Sequence, residues 1–354
     1  MDKAYVMNLH LFYHFNRVYK YRIFIIIMRS NKQPSVAIVV TNYNGFSIKY
    51  KSKSIIWHTL NSLEKTEYKN MHVIFADDSS TDESIKYVKN NFPCAKIVIN
   101  KPNGGYTKNA NKGIRYAIKE LNPDFVMTMN NDVIIKDKRW LEKLVSSAES
   151  YPNCGVAGPK LLYPNGRLQQ AGIMGIGPMI RNRGWNGEDA SMYAETEEVS
   201  AVGGVALLIK TPVLKKIGFL DENFFMGSDD VEFCVRASKS GFKILYVGTA
   251  EIIHLEGFTS KKVSNTKGKD YWFPIFITNN IYFAFKHLRR TQILEAIFLA
   301  ILSSFVGIGN RSVSFLNIKF KDRIPWRFSV SIRAIYNGYR LYKGKISRKE
   351  AYGL

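Results

Sequence analysis

The sequence predicts an α/β fold: a Rossmann-like, mostly parallel sheet flanked by helices, followed by a helical, basic C-terminal extension. Three observations carry this. Short apolar runs alternate with helix-like segments from Ser35 to Met129, the pattern that builds a mostly parallel, three-layer sheet. Each run ends in a polar cluster, at Asn42–Asn44, Asp77–Ser80, Asn100–Gly105 and Asn130–Asp132, so four strand ends would converge on one ligand crevice. Charge is the third. The 354 residues carry a formal net charge of +22, yet residues 36–260 hold 27 Lys or Arg against 24 acids, whereas residues 261–354 hold 18 against four.

Taken in order, Val36–Val40 is a continuous apolar strand, Ser54–Glu64 a helix, His72–Ala76 a second strand and Asp82–Asn90 a second helix with Ser and Thr available as caps. Lys96–Ile99 is a third strand, Thr107–Leu121 a third helix, and Phe125–Met129 a fourth strand rich in residues that suit a sheet interior. After Asp132 the alternation weakens. Trp140–Ser150 reads as a helix, Gly155–Leu162 as a strand, and Gly172–Val199 as a Gly-rich, acid-rich stretch with little periodicity. Loops of that length are either functional or disordered. A second section follows, with strands at Val202–Ile209 and Lys243–Val247 and helices at Pro212–Ile217 and Val231–Ser240. The organisation is thus a basic, apolar extension over 1–34, a ligand-binding half over 35–132, a second half over 133–260 and a basic helical region over 261–354.

An apolar content of 46% supports a sizeable core. Cys94, Cys154 and Cys234 lie far apart with no metal-ligand spacing, so neither zinc nor a disulfide framework is expected and a reducing cytoplasm fits. The N-terminal run Ile23–Met28 is far shorter than the roughly 20 residues a spanning helix needs; it is either an interfacial tether or lies upstream of a start at Met28. Residues 291–309 are nearly apolar on all sides, and 324–345 interleave Trp326, Phe328, Ile332, Ile335 and Tyr336 with Arg327, Arg333 and Arg340. With no nucleic-acid recognition motif among the basic residues, no nucleic-acid partner is expected. An anionic membrane surface at the cytoplasmic face fits these residues better.

Asp132 is the acid at the tip of Asp124-Phe-Val-Met-Thr-Met-Asn-Asn-Asp132. Taken alone, Asn130–Asp132 is either a turn or a ligand site. Other segments decide between them: Val39-Val-Thr-Asn-Tyr-Asn-Gly45, Ala76-Asp-Asp-Ser-Ser-Thr-Asp82, Asn103-Gly-Gly-Tyr-Thr-Lys-Asn-Ala-Asn-Lys-Gly113, Val202-Gly-Gly-Val-Ala-Leu-Leu-Ile209, Gly218-Phe-Leu-Asp-Glu-Asn-Phe-Phe225 and Asp229-Asp-Val-Glu-Phe-Cys-Val-Arg236. In this order, over roughly residues 36–285, the chain resembles the family 2 glycosyltransferases, particularly their rhamnosyltransferase-like branch. The resemblance implies the GT-A fold and inverting transfer of a sugar from a nucleotide-diphosphate donor to a glycan or lipid-linked acceptor.

It also implies roles. Asp77 would contact the nucleoside, flanked by Thr41 and Tyr43, with Asn103, Gly105, Asn111 and Asn131 completing the nucleotide-sugar site; Gly104 and Gly105 would let backbone approach the nucleoside closely. Asp78 and Asp82 read equally as turn and cap residues. Asp132 matches the last position of the family's D-x-D motif, where Mg2+ or Mn2+ would sit beside the diphosphate. Asn130 replaces the motif's first carboxylate. His254 is either structural or a second metal ligand. Asp230, with Asp229 beside it, would be the base that takes the acceptor's proton, while Glu232 and Arg236 have the spacing of an ion pair on one helix face. Trp185 would stack on an acceptor sugar or anchor its loop. Segment 46–54 is a few residues longer than the family's usual connection. The Asn130 departure leaves a silent nucleotide-sugar-binding scaffold as the alternative, and metal-dependent hydrolysis of a nucleotide sugar separates the two.

Overall fold

A computed structural model of the chain describes residues 33–177, 180–257, 271–305, 308–309, 312–313 and 324–353. The expected N-terminal extension before residue 33 and the basic residues 261–270 lie outside them. The first half alternates as the periodicity predicts: β1 (Val36–Asn42), a small hairpin β2 (Lys49–Tyr50) and β3 (Lys53–Ser54), α1 (Ile55–Glu64), β4 (Met71–Asp77), α2 (Ser84–Asn91), β5 (Lys96–Ile99), α3 (Tyr106–Leu121) and β6 (Phe125–Asn130). The long 46–54 connection is the hairpin, and Ser54 at its end caps α1 by accepting the Trp57 amide at 3.2 Å.

Next come β7 (Val133–Ile134), α4 (Trp140–Ser150), β8 (Cys154–Leu162), β9 (Leu168–Gln170), β10 (Ile173–Met174), β11 (Arg181–Asn182) and β12 (Thr196–Glu198). The expected irregular stretch 172–199 therefore contains a two-stranded ribbon, β10 with β11, and a sheet-edge strand. The second section holds β13 (Ala206–Lys210), α5 (Thr211–Ile217), α6 (Asp229–Lys239) and β14 (Lys243–His254). Three boundaries of this section differ from expectation by two residues or more. β13 starts at Ala206, not Val202, because Gly203 and Gly204 turn their N–H groups onto Gln170 and Asp230 side chains. α6 starts at Asp229, so both acids stand in its first turn. β14 runs on to His254 past a register shift between Val247 and Glu251, an irregularity that breaks the strand's period in sequence.

One ten-stranded sheet, ordered β12-β14-β8-β13-β6-β1-β4-β5 with β7 on β14 and β9 on β8, spans the described residues. β1 is central, parallel to β4 and β6, and buried along its whole length. Its side chains alternate between faces: Val36, Ile38 and Val40 share a core with Leu60, Trp140 and Leu144, while Ala37 and Val39 share one with Ala110, Ile114 and Phe233. β13 runs antiparallel to β6, which joins the expected halves on either side of residue 132 in one continuous sheet.

The C-terminal part comprises α7 (Trp272–His287), α8 (Arg290–Leu302), a two-stranded ribbon of β15 (Ile308–Gly309) and β16 (Ser312–Val313), α9 (Ile324–Tyr342) and α10 (Arg348–Tyr352). Small residues bring the helices together, Ile281 and Ala284 of α7 meeting Ala296 and Ala300 of α8 and Ala334 of α9. Among the described residues no helix is long and apolar enough to cross a membrane. α8 buries only Ala296 and Ala300 and exposes Leu294 and Phe298.

Candidate active site

The strand ends of β1, β4 and β6 meet through side chains as well as backbone, the Asp78 amide donating to the Asn42 carbonyl at 2.9 Å. Asn42 donates to Asp77 Oδ2 at 2.8 Å, Ser80 Oγ donates to the same oxygen at 2.6 Å, and the Ser80 amide donates to Oδ1 at 2.8 Å. Asn131 donates to Asn42 Oδ1. Gly45 makes this possible, since a Cβ there would lie 2.4 Å from both the Asn131 and Asn42 amides. Asp77 therefore stands at the expected strand end but is fully buried, its carboxylate turned into the network. Thr41 is buried and donates to the Met129 carbonyl, whereas Tyr43 is 40% exposed at the mouth.

Asp78 organises the neighbouring loop. Its Oδ1 accepts from Asn100 Nδ2 at 2.7 Å and the Gly104 amide at 2.8 Å, and its Oδ2 accepts from the Gly105 amide at 2.8 Å. Burial pushes its carboxyl above the ordinary range against the pull of these donors. Asn103 is exposed and ties back to the Asp78 carbonyl at 3.0 Å. Gly105 has a different use from the one expected: with φ at 76°, it has the Phe225 ring where a Cβ would be, 2.7 Å away. Asn111 is likewise turned elsewhere, its amide engaged by Leu220 backbone and Glu222. It fastens the 220–222 loop to α3. Asp82 accepts from Ser47 and Ser84, the turn-and-cap role its position allows.

Asp132 and His254 come together from β6 and β14. His254 Nε2 lies 3.2 Å from Asp132 Oδ1 and 3.4 Å from Asn130 Nδ2, with both residues of the pair buried. The other ring nitrogen, Nδ1, faces Gln169 Oε1 at 3.0 Å, and Gln169 Nε2 donates to Glu256 at 2.7 Å. This amide orientation makes Nδ1 the donor and leaves the Nε2 lone pair of a neutral ring aimed at a carboxylate oxygen. Two electron-rich atoms at that separation need a proton or a cation between them. The donor set of one carboxylate and one imidazole, with the imidazole oriented through its far nitrogen, fits a divalent ion that keeps other positions for substrate oxygens. Among the described residues no cluster of three such side chains occurs, so substrate oxygens and water would complete the shell.

Asp230 Oδ2 accepts the Gly204 amide at 2.7 Å and Oδ1 the Val231 amide at 2.8 Å. Tyr106, which follows Gly105, donates to the Gly204 carbonyl at 3.2 Å, and the Asn130 amide donates to the Val205 carbonyl at 2.9 Å. Residues 204–205 thus link Asp230 to both the Gly104–Gly105 loop and the Asp132 tip. Burial, and then the charge of Asp230, push the Asp229 carboxyl up to about 8; burial also raises Asp230. On the far side of α6, fully buried Glu232 meets Arg236 at 2.8 Å, Lys286 at 2.8 Å and His287 at 3.1 Å. Burial alone would raise Glu232, but bonds from His287 and Arg236 and the charges of Arg236 and Lys286 hold it down at about 2. The expected Glu232–Arg236 pair is one arm of this larger cluster. Trp185 anchors its loop, donating to Tyr163 at 3.0 Å.

Gln169 and Gln170 touch the candidate site, and sequence reasoning missed them. Adjacent on β9 and both buried, they point to opposite faces, one orienting His254 and the other holding Gly203. Two consecutive glutamines beside an apolar residue were the available signal.

Residues 37–200 match the family model described as Glycosyl transferase family 2, and the chain carries a domain of that family. The O-antigen biosynthesis protein RfbC of Myxococcus xanthus is 25% identical over 248 residues, 68% of this chain but 18% of that protein. An N-acetylglucosaminyl-diphospho-decaprenol L-rhamnosyltransferase of Mycobacterium tuberculosis (strain CDC 1551 / Oshkosh) is 26% identical over 219 residues, 55% of this chain and 70% of that protein. These names support the rhamnosyltransferase-like branch. The crystal structure of GalNAc-T7 with UDP, GalNAc and Mn2+ superposes with a TM-score of 0.51 at 16% identity, over 68% of this chain and 51% of that one. The fold is GT-A.

Proposed function

We propose that the chain is an inverting glycosyltransferase that moves a sugar from a nucleotide-diphosphate donor to a glycan or lipid-linked acceptor, assisted by Mg2+ or Mn2+. The observation that carries this reading is the convergence of Asp132 and His254 at the strand ends, linked through residues 204–205 to the Asp229–Asp230 pair. The relatives' names and the Mn2+ in GalNAc-T7 agree with it. Asp132 and His254 would hold the ion, which when bound offsets charge on the departing diphosphate. Asn42, Asp77, Asn131 and Thr41 form the floor on which the nucleoside would rest, with Tyr43 and Asn103 at its edge.

The acid pair divides labour. Two neighbouring carboxylates, one buried and one half-buried, do not both ionise readily, and Asp230 accepts two backbone N–H groups that favour its anion. Asp229 then holds the proton and Asp230 is the base. It takes the acceptor hydroxyl's proton as that oxygen bonds to the anomeric carbon and the bond to the diphosphate breaks, its electron pair leaving with the nucleotide. A panel of nucleotide sugars incubated with Mn2+ or with EDTA tests the whole reading. Metal-dependent hydrolysis of at least one sugar nucleotide is expected, and none with any donor would leave only a silent scaffold.

The C-terminal helices would rest on an anionic membrane at its cytoplasmic face. Phe328, Ile332 and Tyr336, spaced by four on α9, share one face and are exposed, as are Trp326, Leu294 and Phe298. Exposed Arg333 stands beside this stripe. Flotation with anionic liposomes at low salt, but not with zwitterionic ones, is expected; no difference between them would remove this part.

A further inference from the structure

Arg348 belongs to the far C-terminal helix, yet its side chain reaches the donor loop. α10 is well seated. Ser347 and Glu350 form a reciprocal capping box, Ile346 and Ala351 enter the main core, and the Tyr352 hydroxyl lies 2.6 Å from Asn279 Oδ1 and 3.0 Å from the Asn223 carbonyl. This seating places the Arg348 guanidinium 5.7 Å from the centre of the Phe225 ring, the same ring that packs on Gly105, and lets Nη2 donate to the Gly104 carbonyl. The Gly104 peptide is thereby held from both sides, its N–H by Asp78 and its oxygen by Arg348.

The rest of the guanidinium has no such use. Nε and Nη1 are buried and find no hydrogen-bond partner among the described residues. The nearby carboxylates are engaged elsewhere: Asp78 with Asn100, Gly104 and Gly105, and Glu222 with Asn111 and Arg115. Leaving two donors of a cation unmet in a desolvated place is costly, and a planar fork of this kind matches phosphate oxygens.

We propose that Arg348 is a donor-binding residue, whose Nε and Nη1 take phosphate oxygens of the nucleoside diphosphate at the Gly104–Gly105 loop. The proposal rests on the sugar-nucleotide reading above, and it makes the donor site dependent on α10. A purely structural arginine and a ligand-seeking one differ in sign. Calorimetric titration of the full chain with UDP, GDP and dTDP in Mn2+, together with melting curves, reads both effects for Arg348→Met and Arg348→Lys. Methionine keeps the packing on Phe225 but removes the unmet charge. The expected result is a Kd at least tenfold weaker for the nucleotide that wild type binds, with a melting temperature of the free protein equal to or above wild type. Arg348→Lys should fall between, having charge without the fork. A Kd within twofold of wild type in Arg348→Met, or an equal loss for the bare nucleoside, would overturn the phosphate assignment. Wild type binding none of the three diphosphates would instead bring down the sugar-nucleotide reading, and this inference with it.

Discussion

The two sides of the crevice treat their carboxylates in opposite ways. On the β1/β4 side, Asp77 and Asp78 each accept three hydrogen bonds from groups nearby in the fold, so their oxygens are occupied locally and the loop shape is fixed before any ligand arrives. On the β6/α6 side, Asp132 faces the His254 ring nitrogen Nε2 and Asp229 is buried beside another acid. One side is a preformed frame; the other is electrostatically unfinished and is completed by an ion, a proton or substrate. A domain of this family needs both, because recognition gains from rigidity whereas charge stabilisation gains from groups aimed at charge that appears only during reaction.

The contrast breaks most visibly at Asp230. Asp230→Asn keeps the size of the side chain but gives up one of the two backbone N–H groups it accepts and loses the base, so turnover should fall about 10²- to 10⁴-fold, while affinity for the nucleoside diphosphate stays within about threefold. Equal losses in both would show that the two sides are not separate. The next largest effect is on stability. Glu232→Ala leaves Arg236, Lys286 and His287 around a buried gap where their shared anion stood, and urea unfolding should report a loss of about 3–5 kcal/mol. Because the folded Glu232 carboxyl is held at about 2, its contribution is present above the ordinary glutamate range and disappears as pH falls from there through 2. A Glu232→Ala penalty unchanged between pH 7 and pH 2 would contradict this.

Much of the frame was legible in sequence. β5 and α4 have the expected ends, and β1 lies within two residues of its expected end, because a strand buried along its whole length, as β1 is, reads as an unbroken apolar run. The strand-end acids were legible for the same reason. What stayed hidden depends on partners distant in the chain. Gly105 packs on the Phe225 ring, Asn111 faces Leu220, and β14 runs on to the foreseen His254 past a bulge that masks the strand's period. Gln169 and Gln170 sit on a three-residue strand, too short for any periodicity to mark. Arg348 is one basic residue in a basic tail, and only the fold singles it out.

On the framed side, Asp78→Ala strips the acceptors from two buried glycine amides and from Asn100. A stability loss of about 2–3 kcal/mol is expected, accompanied by weaker donor binding as the Gly104–Gly105 loop relaxes. Urea midpoints and nucleotide titration check both. A variant with normal stability and normal affinity would mean that the loop holds its shape without Asp78, and the preformed side would not be preformed by its carboxylates.

The smallest expected change has the opposite sign. In the fold the Asp229 carboxyl is pushed from 3.8 up to about 8, so the folded state keeps a proton that the unfolded chain releases. Stability contributed at this position is therefore highest below the unfolded value, and falls as pH rises from about 4 to about 8. Asp229→Asn removes that titration. The variant should match wild type near pH 4 and exceed it by roughly 0.5–2 kcal/mol at pH 8, while losing turnover, the trade expected where a site is kept strained for function. Replacing Asp77 with Asn should destabilise at pH 8 instead, since its carboxylate is fully used. A difference between Asp229→Asn and wild type that stays flat from pH 4 to pH 8 would mean that Asp229 is ionised in the fold, and Asp230 would then lose its claim to be the sole charged member of the pair.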